Sequence, residues 1–178
     1  MSLIDSNVHK KLFCFPIKEY YKKLSLPIDD NNFSLLCSEF IAHYNNNWMD
    51  TKLQKNASIV IDTINNQGKS QSILSAQENA QLHKFTNHFK INNYFKNIIG
   101  LNNNKAEGKL ESGYKLIDKL NIPKEEILLI GDTNYDYFIA KKIGIDCILY
   151  YSGHQSKKIL QKTSLPIIDN LKTILNII

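Results

Sequence analysis

The sequence predicts an α/β fold: a parallel sheet flanked by helices and preceded by a helical segment. Two features beyond position 57 and one before it carry that prediction. Short apolar runs alternate with amphipathic stretches of about ten residues, the pattern of βαβ units joined into a parallel sheet. The run Ile127-Leu128-Leu129-Ile130 is apolar at every position, as in a strand buried on both faces. Residues 8–56 instead carry Phe13, Phe15, Tyr20, Tyr21, Phe33, Phe40, Tyr44 and Trp48 with no two-residue alternation, so they read as helices.

Each element follows from local chemistry. Pro27, with Asp29, Asp30, Asn31 and Asn32, makes a turn that divides the helical part into at least two. Residues 12–15 form a short apolar run compatible with helix or strand. Residues 57–66 read as a helix stopping near Gly68. A strand over 70–75 buries Ile73 and Leu74, and an amphipathic helix covers 78–89. Tyr94-Phe95 forms a docking turn before a strand at Ile98-Ile99-Gly100. Leu110, Tyr114, Ile117 and Leu120 lie near helical spacing within a helix over 110–120. After the strand 127–130, a helix over 134–143 is closed by Gly144, and a strand covers 145–151. Residues 157–161 and 171–178 close the chain as helices, with a short strand at 166–168.

With 178 residues, the chain accommodates one domain or one domain with a small appendage. The net charge of +5 suits an anionic small molecule. The lysines are scattered, and no basic run interleaves with aromatics, so a nucleic-acid partner is not expected. Cys14, Cys37 and Cys147 form no CxxC pair, which argues against zinc and for a reducing compartment. No stretch reads as a signal core or is long enough to cross a bilayer, so a cytoplasmic protein without a membrane partner is expected.

Ligands of open parallel sheets lie beyond the carboxyl ends of the strands, so the polar residues there are the candidates. Gly131-Asp132-Thr133-Asn134-Tyr135-Asp136 follows the strand 127–130. Asp132 at the strand end and Asp136 in the next helix's first turn are carboxylates suited to Mg²⁺, which takes one or two carboxylates with waters and phosphate oxygens. Thr133 and Asp136 are equally a capping-box pair. Ser75 lies at the end of the strand 70–75 and offers a hydroxyl to a phosphate beside a helix N-terminus, although Ser75 and Glu78 also have capping-box spacing. Lys109 precedes a helix, where its ammonium would neutralise phosphate and carboxylates together; a surface lysine is the plainer reading. Gly153-His154 follows another strand, and His154 reads first as an ordinary loop histidine.

Taken in order, strand–Ser75, Lys109 and strand–Gly131-Asp132-x-x-x-Asp136 resemble the haloacid dehalogenase-like hydrolase superfamily, in its phosphoglycolate-phosphatase-like branch. Tyr94-Phe95-x-x-Ile98-Ile99-Gly100, Ile122-Pro123-Lys124-Glu125-Glu126-Ile127-Leu128 and Ala140-x-x-Ile143-Gly144-Ile145 add to the likeness. The resemblance implies a Rossmann-like three-layer parallel sheet over 57–178 and a small helical cap over 8–56. It implies a Mg²⁺-dependent phosphatase of small phosphorylated metabolites. Ser75 and the adjoining Ala76 would bind the transferred phosphoryl group, and Lys109 would hold it together with the nucleophile. Asp132 would ligate Mg²⁺, and Asp136 would support that metal site.

The family's Asp-x-Asp-Gly-Thr segment, whose first Asp is the nucleophile, does not occur in the sequence. Leu3-Ile4-Asp5-Ser6 resembles the stretch immediately after that segment in the family. Asp5 is therefore not expected to be the nucleophile, and the chain as written is expected to be inactive. By the resemblance, the strand carrying the segment belongs in mid-sheet between the Ser75 strand and the 127–130 strand. An upstream segment, rearrangement, or a partner chain, including self-association, would close that slot. A non-catalytic module binding a phospholigand or a protein is the second reading. A response-regulator-like receiver also gathers Asp, hydroxyl and Lys at strand ends, but in an order that Lys109 does not fit.

Overall fold

The computed structural model describes residues 4–102 and 108–178; Leu3 lies outside the described residues. The first third is helical, as its lack of two-residue alternation predicts. Asp5 caps α1 (Ser6–Leu12) by accepting the Asn7 N–H at 2.8 Å, so its carboxylate has a structural role. Pro16 precedes α2 (Ile17–Lys23), and Asp29 caps α3 (Asp30–Asn47) through the Asn32 N–H. Residues 12–15 form no strand: Leu12 ends α1 and Phe13 caps it. Trp48 packs on Phe85 and His88, with ring centroids 4.8 and 5.0 Å away.

The remainder alternates strand and helix. It runs α4 (Ala57–Asn66), β1 (Ser72–Glu78), α5 (Asn79–His88), β2 (Asn97–Leu101), α6 (Leu110–Leu120), β3 (Leu128–Gly131), α7 (Asn134–Ile143), β4 (Asp146–Tyr150), α8 (Lys157–Leu160) and β5 (Ile167–Ile168). Residues 171–178 differ from the expected α-helix: Leu171–Asn176 is a 3₁₀ segment, started by Asn170. The strand expected over 70–75 instead spans Ser72–Glu78. Its regular pairing with β2 ends at Leu74↔Ile99 and resumes only at Glu78↔Leu101, so Ser75 still lies where the ladder breaks off.

Side chains of β4 alternate between two cores, which defines three layers. Ile148 and Tyr150 pack with Val60 and Ile64 of α4 and with Ile174. Cys147 and Leu149 face the other way, onto Ala140 of α7 and Leu160 of α8. α6 lies on the α7 side: a Cβ on its Gly113 would meet Ile143 and Ile139 of α7 and Leu74 of β1.

All strand pairings are parallel, but the described strands form two sheets, β1-β2 and β3-β4-β5. Among the described residues β1 and β3 share no ladder. This corrects the expectation of a fully buried 127–130 strand. Leu128 and Leu129 are half-buried and Ile130 is 41% exposed, whereas Leu149 of β4 is 0% exposed. Among the described residues, β4 has a strand on each side and β3 has one on its β4 side alone.

Candidate functional site

The site is built where β3 hands the chain to α7. Thr133 is the N-cap, its hydroxyl accepting the Asp136 N–H at 3.3 Å. Asp136 answers with Oδ2, which accepts the Thr133 N–H at 3.0 Å, the Thr133 hydroxyl at 2.7 Å and the Asp132 N–H at 3.1 Å. The capping box is therefore real, and it occupies Oδ2. Oδ1 pairs with the Lys109 ammonium at 2.8 Å. Burial pushes the Asp136 carboxyl up, but the Lys109 charge and the hydrogen bonds from Lys109 and Thr133 outweigh it and hold the group below the ordinary carboxylate value. Gly131 is required by proximity: a Cβ there would sit 2.2 Å from the Asp136 Cβ. Thr133→Ala removes the cap and is expected to cost about 1 kcal/mol in urea unfolding, with no loss of helix content.

Lys109 joins this corner to β1. Besides Asp136, its Nζ donates to the Leu74 carbonyl at 3.1 Å, one residue before Ser75. One ammonium thus brings together the three stretches that the sequence singles out. Ser75 itself does not cap α5, contrary to the capping-box alternative. Glu78 does so, accepting the Ala80 and Gln81 N–H groups at 2.8 and 2.9 Å. The Ser75 hydroxyl instead accepts the Gln77 N–H at 3.1 Å. Ser75 and Ala76 are half-buried within β1.

Asp132 is held from the opposite side. Its Oδ2 accepts the His154 N–H at 2.8 Å, and a Cβ on Gly153 would lie 2.0 Å from that oxygen. Among the described residues, Asp132 Oδ1 accepts no hydrogen bond. The sequence does not predict these main-chain contacts, although it puts Gly153-His154 at a strand end. The packing of α1 beside them leaves no sequence signal. The His9 ring meets His154 at 3.3 Å and the Tyr20 hydroxyl at 2.8 Å, and Phe13 stacks on His154 at 4.7 Å. Burial first, then the neighbouring His154 and Lys10 charges, pull the His9 pKa down. Gln155 is 1% exposed. Its Nε2 donates to the Phe13 carbonyl and to Asn134 Oδ1, both at 2.9 Å, and its Oε1 accepts the Asn134 N–H at 2.7 Å.

These residues fit Mg²⁺ in a limited way. Asp132 offers one carboxylate oxygen at a strand end, whereas both Asp136 oxygens are engaged. The described residues contain no group of three or more His, Cys, Asp or Glu able to hold a metal. A cation here would complete its shell from water and phosphate oxygens, as Mg²⁺ commonly does. No helix among the described residues is long and apolar enough to cross a membrane.

The sequence matches the family of haloacid dehalogenase-like hydrolases over residues 2–150. It is 24% identical over 105 residues to a protein named as a pyrophosphatase, PpaX of Caldanaerobacter subterraneus, covering 57% of this chain and 48% of that protein. It is 21% identical over 150 residues to phosphoglycolate phosphatase of Pseudomonas fluorescens, covering 83% of this chain and 55% of the relative. The chain thus spans about half the length of these curated relatives. The fold is that of a solved haloacid dehalogenase-like hydrolase from Streptococcus pneumoniae. The TM-score is 0.83 at 14% identity, with 99% of this chain and 82% of that one covered.

Proposed function

Because the chain belongs to the haloacid dehalogenase-like hydrolase family, we propose that it carries the phosphate and Mg²⁺ site of a phosphatase acting on small phosphorylated metabolites. The observation that carries this reading is the position of Lys109, whose ammonium lies 2.8 Å from Asp136 and 3.1 Å from the carbonyl preceding Ser75. Asp132 holds Mg²⁺ through its free oxygen, and Asp136 orients the loop and anchors Lys109. Ser75 and Ala76 bind the phosphoryl group, which Lys109 neutralises. Bound Mg²⁺ would stabilise negative charge on the phosphoryl oxygens. Residues 8–56 form the cap that selects the substrate, and the latch from Gln155 to the Phe13 carbonyl fixes its root.

Covalent phosphoryl transfer needs an in-line carboxylate. Asp5 is committed to capping α1, and Asp136 to Lys109 and Thr133. Residues 1–178 alone are therefore expected to bind phosphate with Mg²⁺ without turning over an aryl phosphate. A version extended at its start by a strand and an Asp-x-Asp-Gly-Thr segment is expected to hydrolyse p-nitrophenyl phosphate only with Mg²⁺, and Asp132→Asn is expected to abolish that turnover. If neither protein is active, yet this chain binds inorganic phosphate, the non-catalytic module is the correct reading. Activity of the unextended chain would instead require a different nucleophile.

A further inference from the structure

Two imidazoles face each other where α1 meets the 153–156 loop. His9 Nε2 lies 3.3 Å from His154 Nδ1. Both rings are held by their surroundings. His9 Nδ1 meets the Tyr20 hydroxyl at 2.8 Å, and Tyr20 is 7% exposed. Phe13 stacks on His154 at 4.7 Å and lies tilted against His9 at 5.1 Å. The main chains beneath the rings are tied as well. The Ser156 N–H donates to the Lys10 carbonyl at 2.9 Å, and Gln155 Nε2 donates to the Phe13 carbonyl at 2.9 Å. The pair therefore joins segments 145 residues apart that the fold already holds together.

The separation of the two nitrogens is informative. As a hydrogen bond it is long, since N–H donors commonly sit about 2.7–3.2 Å from their acceptors. As one edge of a tetrahedron around a metal it fits. With Zn–N bonds of about 2.0–2.1 Å, two ligand nitrogens lie about 3.3–3.4 Å apart. Two nitrogens at right angles on a square-planar or octahedral ion would lie closer, about 2.9 Å apart. Imidazole suits zinc, whereas Mg²⁺ takes oxygen ligands.

The protons can also be accommodated. With zinc bound, His9 carries its proton on Nδ1 and donates it to the Tyr20 oxygen, which frees the Nε2 lone pair. A hydrogen-bond acceptor on the second ring nitrogen is the usual device that orients a ligating histidine. His154 carries its proton on Nε2 of an exposed ring, which frees Nδ1. Neither neutral ring has to lose a proton. The Asp132 carboxylate, which accepts the His154 main-chain N–H, adds negative charge next to that residue.

We propose that His9 and His154 form a zinc-binding site, in which His9 Nε2 and His154 Nδ1 are the two protein ligands and water completes the tetrahedron. Bound zinc clamps α1 onto the loop whose main chain holds Asp132. The site uses neither oxygen of Asp132 and does not depend on the phosphatase reading.

The full chain is titrated with zinc chloride by calorimetry in the presence of excess Mg²⁺, beside His9→Gln, His154→Gln and Asp132→Asn. Thermal unfolding in EDTA verifies the fold of each variant. Because the His154 ring is exposed, His154→Gln tests the site even where His9→Gln disturbs the aromatic cluster. The wild type is expected to bind one zinc ion per chain, and zinc is expected to raise its thermal midpoint until EDTA is added. Each histidine variant is expected to lose about tenfold or more in affinity, at least the effect of removing a group that merely orients a ligand. Asp132→Asn keeps an oxygen for the His154 N–H and is expected to keep zinc binding. Absence of saturable binding by the wild type overturns the proposal. So does binding that His154→Gln leaves intact, since cysteines or other histidines then hold the ion. Loss of zinc with Asp132→Asn overturns it too, and places the ion at the carboxylate corner.

Discussion

Asp136→Ala is expected to lower the stability of the chain by about 3–5 kcal/mol in urea unfolding at neutral pH, the range found when one partner of a buried ion pair is removed. The carboxylate is buried and engages four donors: the Asp132 and Thr133 N–H groups, the Thr133 hydroxyl and the Lys109 ammonium. Its removal leaves the Lys109 side chain, 16% exposed, with an unpaired charge, and leaves the donors of buried Thr133 without an acceptor. Lys109→Met in the same background is expected to recover part of the loss, because the stranded charge goes with it. The pH dependence has a fixed sign. Burial raises the Asp136 pKa, but Lys109 and the hydrogen bonds prevail, so its folded value lies below the reference of 3.8. Its contribution is therefore complete above the unfolded value and is lost as pH falls through the folded one. Wild-type stability should drop more steeply than that of Asp136→Ala as pH is lowered below about 4. A variant within 1 kcal/mol of wild type at neutral pH would show that Asp136 does not organise this corner.

Much of this corner was legible in the sequence because the chemistry there is local. α4, α6 and α7 fall at their expected bounds because their stop signals, including Gly144 with φ 83°, and their apolar spacing act within a few residues. The capping box joins Thr133 to a residue three positions on, so its spacing was visible too. The end of β1 was not. Its pairing is broken between Leu74 and Glu78 by contact with β2, some 25 residues away, and the Glu78 side chain takes the place of Ser75 as the helix cap. Hydrophobic pattern also misled at β3. An apolar run reports what the two faces of a strand are suited to meet, and it carries no information on whether the two edges are paired. Gln155 and His9 could not be found in advance, since the contacts that tie them across the fold, His9 to His154 and Gln155 to the Phe13 carbonyl, join positions over a hundred residues apart and involve ordinary polar side chains.

Gly153→Ala is expected to weaken Mg²⁺ binding by about ten- to a hundredfold, the effect typical of losing a group that orients a metal ligand. The added methyl would lie 2.0 Å from Asp132 Oδ2 and 2.3 Å from its Cβ. Contacts that short cannot persist, so either the carboxylate rotates or the 153–154 loop retreats. Both movements break the His154 N–H bond that holds Oδ2. Overpacking of this kind also costs about 1–3 kcal/mol of stability. Asp132→Asn separates the two effects. It keeps the side chain's shape and an oxygen for the His154 N–H, so it should unfold near the wild-type urea concentration while binding Mg²⁺ as poorly as Gly153→Ala. Calorimetric titration with Mg²⁺ in the presence of inorganic phosphate, beside urea unfolding of all three proteins, measures both quantities. If Asp132→Asn loses the metal and Gly153→Ala retains it, Asp132 binds the cation without help from the 153–154 loop. If both retain it, the cation is held elsewhere, and Asp132 and Asp136 form a structural corner of the fold.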